Sequence, residues 1–167
     1  MGCFTPVRGK VMRVTLVDEC GAPDGEFGVS KGFISVVGSA DVETGDEFVQ
    51  KNANGDMCVN ERSPDALKRY NVTVTLCEID PELVSLMTGF TPEYEAGTSG
   101  PIAGFRAVEG VNPSRFALEV WTGLNRGACT AEGACYGYSL WPQIVGATVS
   151  GDITIENGAA TLEIAGY

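Results

Sequence analysis

Residues 70–89 read YNVTVTLCEIDPELVSLMTG, and this stretch decides the fold class. Its first part alternates. Tyr70, Val72, Val74 and Leu76 fall on one face, Asn71, Thr73, Thr75 and Cys77 on the other, and β-branched residues of this kind suit a pleated, half-buried surface. The pattern predicts a strand over 70–79, with Cys77 as a small buried hydrophobe within it. Asp80-Pro81 ends the strand and starts a helix. Asp80 is a natural N-cap, Pro81 fits the first helical position, and Glu82 lies near the positive helix end. Leu83, Val84, Leu86 and Met87 form an apolar stripe, and Gly89 supplies the stop. A short helix over 81–88, packed on a sheet by one face, follows.

Working outward, strand patterns recur on both sides. Residues 10–17 are rich in Val, Thr and Leu. Residues 32–42, GFISVVGSADV, alternate loosely around a glycine that suggests a bulge or a close approach. Residues 102–108 form a short candidate. Residues 115–122, RFALEVWT, put Phe116, Leu118 and Val120 on one face. Residues 136–145 carry Tyr138, Leu140 and Ile144, with Pro142 marking an edge or bulge. Residues 147–156 and 159–165 flank Asn157-Gly158, a dipeptide suited to the positive φ that a tight hairpin turn needs. Eight or nine strands against one short helix exclude a doubly wound α/β fold. They predict a single mainly β domain over 1–167, an antiparallel β-sandwich or barrel with one short flanking helix.

Composition agrees. The 167 residues are 44% hydrophobic and include 22 glycines, enough apolar surface for a core and too much glycine for a helical bundle. No run approaches the ~18 apolar residues of a membrane span. Arg8, Lys10 and Arg13 are scattered through the first 16 residues without the ordered regions of a signal peptide. A reducing compartment is therefore expected, with disulfides rare among the six cysteines. Cys129 and Cys135 flank a short loop and are the pair whose spacing permits a bridge after release from a cell. The net charge is −11. That disfavours an ordinary nucleic-acid reader. It suits either plain solubility or a wall along which DNA slides without sticking.

Residues 43–69, ETGDEFVQKNANGDMCVNERSPDALKR, break the rhythm. Little strand pattern shows beyond 47–51, so the stretch is expected to be a long polar loop. Loops of this length in compact domains commonly serve function, here contact with a neighbouring subunit; the alternative is a plain surface loop. Its candidate interface residues are Glu43, Asp46, Glu47, Phe48, Lys51, Asn54, Asp56, Glu61, Arg62, Lys68 and Arg69. Residues 52–56, NANGD, begin like a calcium loop. Counted from Asn52, however, the glycine falls at position four rather than six, and position twelve is Ser63 rather than glutamate, so a plain turn is the better fit.

The chain contains no histidine, which excludes Ser-His-Asp and Cys-His catalysis and the commonest zinc ligand. No Cys-x-x-Cys pair, phosphate loop or dinucleotide-binding glycine motif occurs. No two of the 22 acidic residues are marked out as a catalytic pair. No catalytic, metal or cofactor site is therefore expected, and an enzyme is not. Trp121 and Trp141 leave one binding alternative, a carbohydrate-binding β-sandwich with an aromatic groove.

Several segments resemble the major tail subunit family of siphophages, those of actinobacteriophages especially. They are LVDECGAP at 16–23, GFISV at 32–36, KNANGDMC at 51–58, the whole of 70–89, Gly110 to Asn112, FALEVW at 116–121, Gly137 to Pro142, and GDITIEN at 151–157. None is specific alone; the order in which they come, over most of the chain, carries the likeness. The resemblance implies a β-sandwich or barrel subunit that forms rings, usually hexameric, stacked into a tail tube in the virion after assembly in the host cytoplasm. It implies an inner channel that DNA occupies transiently, partners such as the tape measure and tail terminator, and no membrane. It assigns the flanking helix to 81–88 and an interlocking loop to 43–69. Such chains often continue past the last hairpin, whereas this sequence stops at Tyr167. Within virion structure, a capsid decoration or head-to-tail joining protein is the alternative.

Overall fold

The computed structural model describes residues 6–95, 100–110, 113–124, 136–151 and 160–167. The chain divides into two compact units, residues 1–37 with 72–167 and residues 38–71. The expected single domain is thus corrected to two units.

The larger unit is a β-sandwich. Its first sheet has the strand order β10-β9-β1-β2, formed by β1 (Pro6–Val17), β2 (Pro23–Ser30), β9 (Phe116–Leu124) and β10 (Tyr136–Ile144). Every pairing in it is antiparallel. The second sheet has the order β11-β12-β6-β3, formed by β3 (Phe33–Glu43), β6 (Ala66–Leu76), β11 (Thr148–Val149) and β12 (Leu162–Gly166). Both sheets are open, so the sandwich form of the expected fold holds and the closed barrel does not. Cross-sheet burial explains the pairing of layers. Met12 and Val14 of β1 with Phe116, Leu118 and Val120 of β9 meet Val72, Val74 and Leu76 of β6 with Leu162 and Ile164 of β12, all nearly inaccessible to water. Removal of these side chains from water supplies the driving force.

The helix α1 (Pro81–Thr88) forms where the sequence predicts it. The Asp80 carboxylate accepts from the Glu82 N–H at 3.0 Å, and Gly89 closes the helix in the left-handed region. Leu83, Val84 and Met87 enter the same core. A Cβ on Gly28 of β2 would lie 2.9 Å from the Leu83 side chain, so glycine there lets the helix approach the sheet. After α1, β7 (Thr91–Tyr94) pairs with β8 (Ile102–Arg106), and Phe90 stacks on Phe105 at 6.0 Å. None of the described helices is long and apolar enough to cross a membrane.

Other sequence expectations change. β2 was not legible: PDGEFGVS carries a proline, two glycines and two acids, and pairing with β1 rather than propensity makes it a strand. β6 starts at Ala66 and ends at Leu76, and Cys77, just beyond it, is exposed rather than buried. The Asn157-Gly158 turn and the Cys129–Cys135 pair lie outside the described residues. β11 and β12 do pair antiparallel, Thr148 with Ala165 and Val149 with Ile164.

The smaller unit replaces the expected long loop at 43–69. β4 (Glu47–Lys51) and β5 (Met57–Arg62) form an antiparallel hairpin. Its turn is the NANGD stretch, built as a plain hairpin turn. The Asn52 side chain accepts from the Asn54 and Asp56 N–H groups at 3.0 and 2.8 Å, and Gly55 donates to the Asn52 carbonyl at 3.0 Å. The ends of β3 and β6 complete the unit. The order of contacts, Ser35 to Thr75 and Asp41 to Arg69, runs these two strands antiparallel. Polar pattern misled the loop expectation because both faces of this hairpin meet solvent, which erases the period-2 signal of burial.

Candidate functional site

The smaller unit has no buried residue at all. Only Asp41, Gly45 and Val59 between 38 and 71 are even half-buried. Val42, Phe48, Val49, Met57, Leu67 and Tyr70 are large apolar side chains left open, Phe48 at 62% exposure. Hydrogen bonds and ion pairs hold the unit instead. At its corner Gly45 donates to the Asp65 carboxylate at 2.9 Å, Ser63 donates to the Asp46 carbonyl at 2.9 Å, and Arg62 pairs with Asp65 at 3.1 Å. The Ser63 carbonyl presses against the position a Cβ on Gly45 would occupy, so only glycine lets the two corner strands approach.

All eleven candidate interface residues lie in this unit, and all are exposed. They sort by what they touch. Lys68 pairs with Glu43 at 3.4 Å, Arg69 with Asp41 at 3.0 Å, and Arg62 with Asp65, so these cations are neutralised locally. Asn54 and Asp56 belong to the hairpin turn. Asp46, Glu47, Lys51 and Glu61 make no ion pair among the described residues. Cross-strand register puts Phe48 directly opposite Glu61 and Gln50 opposite Val59 on one face of the hairpin. Exposed ion pairs contribute little to stability, so the unit lacks a folding driving force of its own.

A second surface was missed by sequence reasoning. It is the solvent face of the first sheet. Register aligns Leu140, Glu119, Arg13 and Val29 in one row across β10, β9, β1 and β2, and Tyr138, Trp121 and Val11 in the next. Phe27, Val29, Tyr136, Tyr138 and Leu140 on this face are each about half exposed or more. A polar staple crosses it. The Glu119 carboxylate, 9% exposed, accepts from the Arg13 guanidinium and from the Tyr138 hydroxyl at 2.8 Å. Arg13 also lies 5.9 Å from the Trp121 ring, which tilts against Tyr138 at 5.5 Å. The hydrogen bond to Glu119 holds the Tyr138 phenol above its ordinary pKa, with burial and the carboxylate charge adding to it.

The signal for this surface was present. Once Phe116, Leu118 and Val120 are assigned to the core, Glu119 and Trp121 must face out. What hid it was β10. Tyr138, Leu140 and Ile144 share a parity, yet a register shift between Trp141 and Ile144, at Pro142, turns the first two outward and Ile144 inward.

The carbohydrate alternative loses its geometry. Trp121 stands in the outer row beside Tyr138, whereas Trp141 is opposite Leu118 and packs against the core, so the two tryptophans occupy opposite faces of the sheet. Among the described residues no three His, Cys, Asp or Glu side chains come together as a metal site. Comparison with protein-family models gives no match, and neither does comparison with curated proteins.

Proposed function

We propose that this chain is a self-assembling virion structural protein, the subunit of a siphophage-type tail tube. The observation that carries the reading is the unit 38–71, an ordered hairpin assembly with open apolar side chains and no buried residue. Pieces below about 40 residues do not hold a fold by themselves without a staple or a partner. A chain that keeps such a unit, and exposes a second apolar sheet face besides, has more apolar surface than a monomer ordinarily leaves open. Neighbouring copies are the simplest cover, and the ordered likeness of segments along the chain names the kind of assembly. In it, the net charge of −11 gives the conduit an acidic wall that repels DNA and lets it slide.

The test is negative-stain microscopy with sedimentation of the purified full chain across a range of salt. Rings and stacked tubes are expected. Persistent monomers under all conditions overturn the reading. Discrete trimers that bind assembled shells without polymerising would point to a decoration protein instead.

A further inference from the structure

The solvent face of the first sheet holds a groove of about 760 Å³. Val11, Val29, Trp121 and Tyr136 give it an apolar, largely aromatic lining, and Lys10 and Lys31 stand beside them. Neither lysine makes an ion pair among the described residues. Two uncompensated cations around an aromatic lining, in a chain of net charge −11, select an occupant with an apolar centre and an acidic border.

The chain carries such a surface itself. On the β4–β5 hairpin Phe48 is 62% exposed, Glu61 stands directly opposite it, and Asp46 precedes it by two residues on the same strand parity. Neither acid is ion-paired among the described residues. We infer that the groove receives the β4–β5 hairpin of a second copy, with Phe48 on the aromatic lining and Asp46 and Glu61 meeting Lys10 and Lys31. Groove and hairpin are different patches of one chain. Their contact is therefore heterologous and propagates into rings or stacks instead of ending at a two-fold dimer.

This inference rests on the self-assembly reading, and complementation separates the two. Full-length Lys10→Glu/Lys31→Glu and Asp46→Lys/Glu61→Lys proteins are compared with wild type by sedimentation and microscopy. Each double reversal should raise the concentration needed for assembly by roughly tenfold or more. An equimolar mixture of the two should restore it, because every groove then finds a hairpin of opposite charge. If wild type assembles and either reversal leaves assembly unchanged, or the mixture fails to restore it, the groove–hairpin contact is wrong while self-assembly stands. If wild type never assembles, both fall. If the lysine reversal spares assembly but abolishes retention of a single-stranded oligonucleotide, the groove is a nucleic-acid site and the inference is overturned.

Discussion

Phe116 and Phe48 are both strand phenylalanines, yet one is 1% exposed and the other 62%. Phe116 belongs to the sandwich, where two sheets and a helix converge on one core. Phe48 belongs to the 38–71 unit, where β strands pair with good hydrogen bonds and bury nothing. The two regions share backbone geometry and differ in what stabilises them. Backbone pairing alone contributes little net free energy, because the unfolded chain bonds equally well to water. The sandwich is a finished fold. The hairpin unit has the form of half an interface.

The largest effect that tests this contrast comes from truncating both rings. Phe116→Ala should destabilise the isolated subunit by about 3–5 kcal/mol, the usual cost of a core cavity. Phe48→Ala should change it by no more than about 0.5 kcal/mol, as for most exposed positions. Urea denaturation of unassembled protein measures both. Phe48→Ala should nonetheless weaken assembly. A Phe48→Ala cost in the isolated chain that matches the Phe116→Ala cost would erase the distinction between the regions.

Next in size is the corner at Gly45. A methyl group there collides with the Ser63 carbonyl. Gly45→Ala should cost about 1–3 kcal/mol of overpacking strain, felt within 38–71. Hydrogen exchange reads this locally: amides of β4 and β5 should lose protection while those at Val72, Val74 and Leu118 keep theirs. Uniform loss across both regions would mean that they unfold as one.

The caps give a smaller pair of the same kind. Asp80 caps α1, whose apolar side chains enter the core, so Asp80→Ala should lower global stability by about 1 kcal/mol. Asn52 holds the hairpin turn through two backbone N–H groups. Asn52→Ala should loosen exchange near the turn and leave the urea midpoint of the sandwich where it was.

The same contrast explains how far the sequence could be read. Burial writes a pattern, and Val72, Val74 and Leu76 with the cap at Asp80 announced a strand, a helix and their packing. The core of β9 was legible for the same reason. β4 and β5 were half-hidden, because a hairpin wet on both faces has no alternation to display, and β2 was hidden because its glycines and proline serve close approach and pairing with β1. Tyr70 shows the boundary. It continues the parity of Val72 and Val74, yet it lies beyond the core and is 49% exposed. Of the candidate interface residues, the location in one unit was legible from polarity, but the division into locally paired and uncommitted charges was not, since that depends on which strands the topology sets side by side.

The smallest effect concerns the solvent face of the sandwich, where a polar staple lies among open apolar side chains. Only the neutral Tyr138 phenol can donate to Glu119, and that bond is the first cause of its raised pKa. The sign follows from linkage. A folded-state pKa above the unfolded value of about 10 means the stabilisation is fully present below pH 10 and is lost as pH rises through the folded value. Tyr138→Phe should therefore be less stable than wild type, by at most the modest worth of one half-exposed hydrogen bond, at pH 8. The difference should shrink towards zero above pH 11. Urea midpoints of the two proteins at both pH values provide the check, and the difference between them removes the ionisation of the other tyrosines. A gap that stays constant with pH would show that Tyr138 contributes by packing against Trp121 alone, and that this face, like the hairpin, is held open for a partner with no staple of its own.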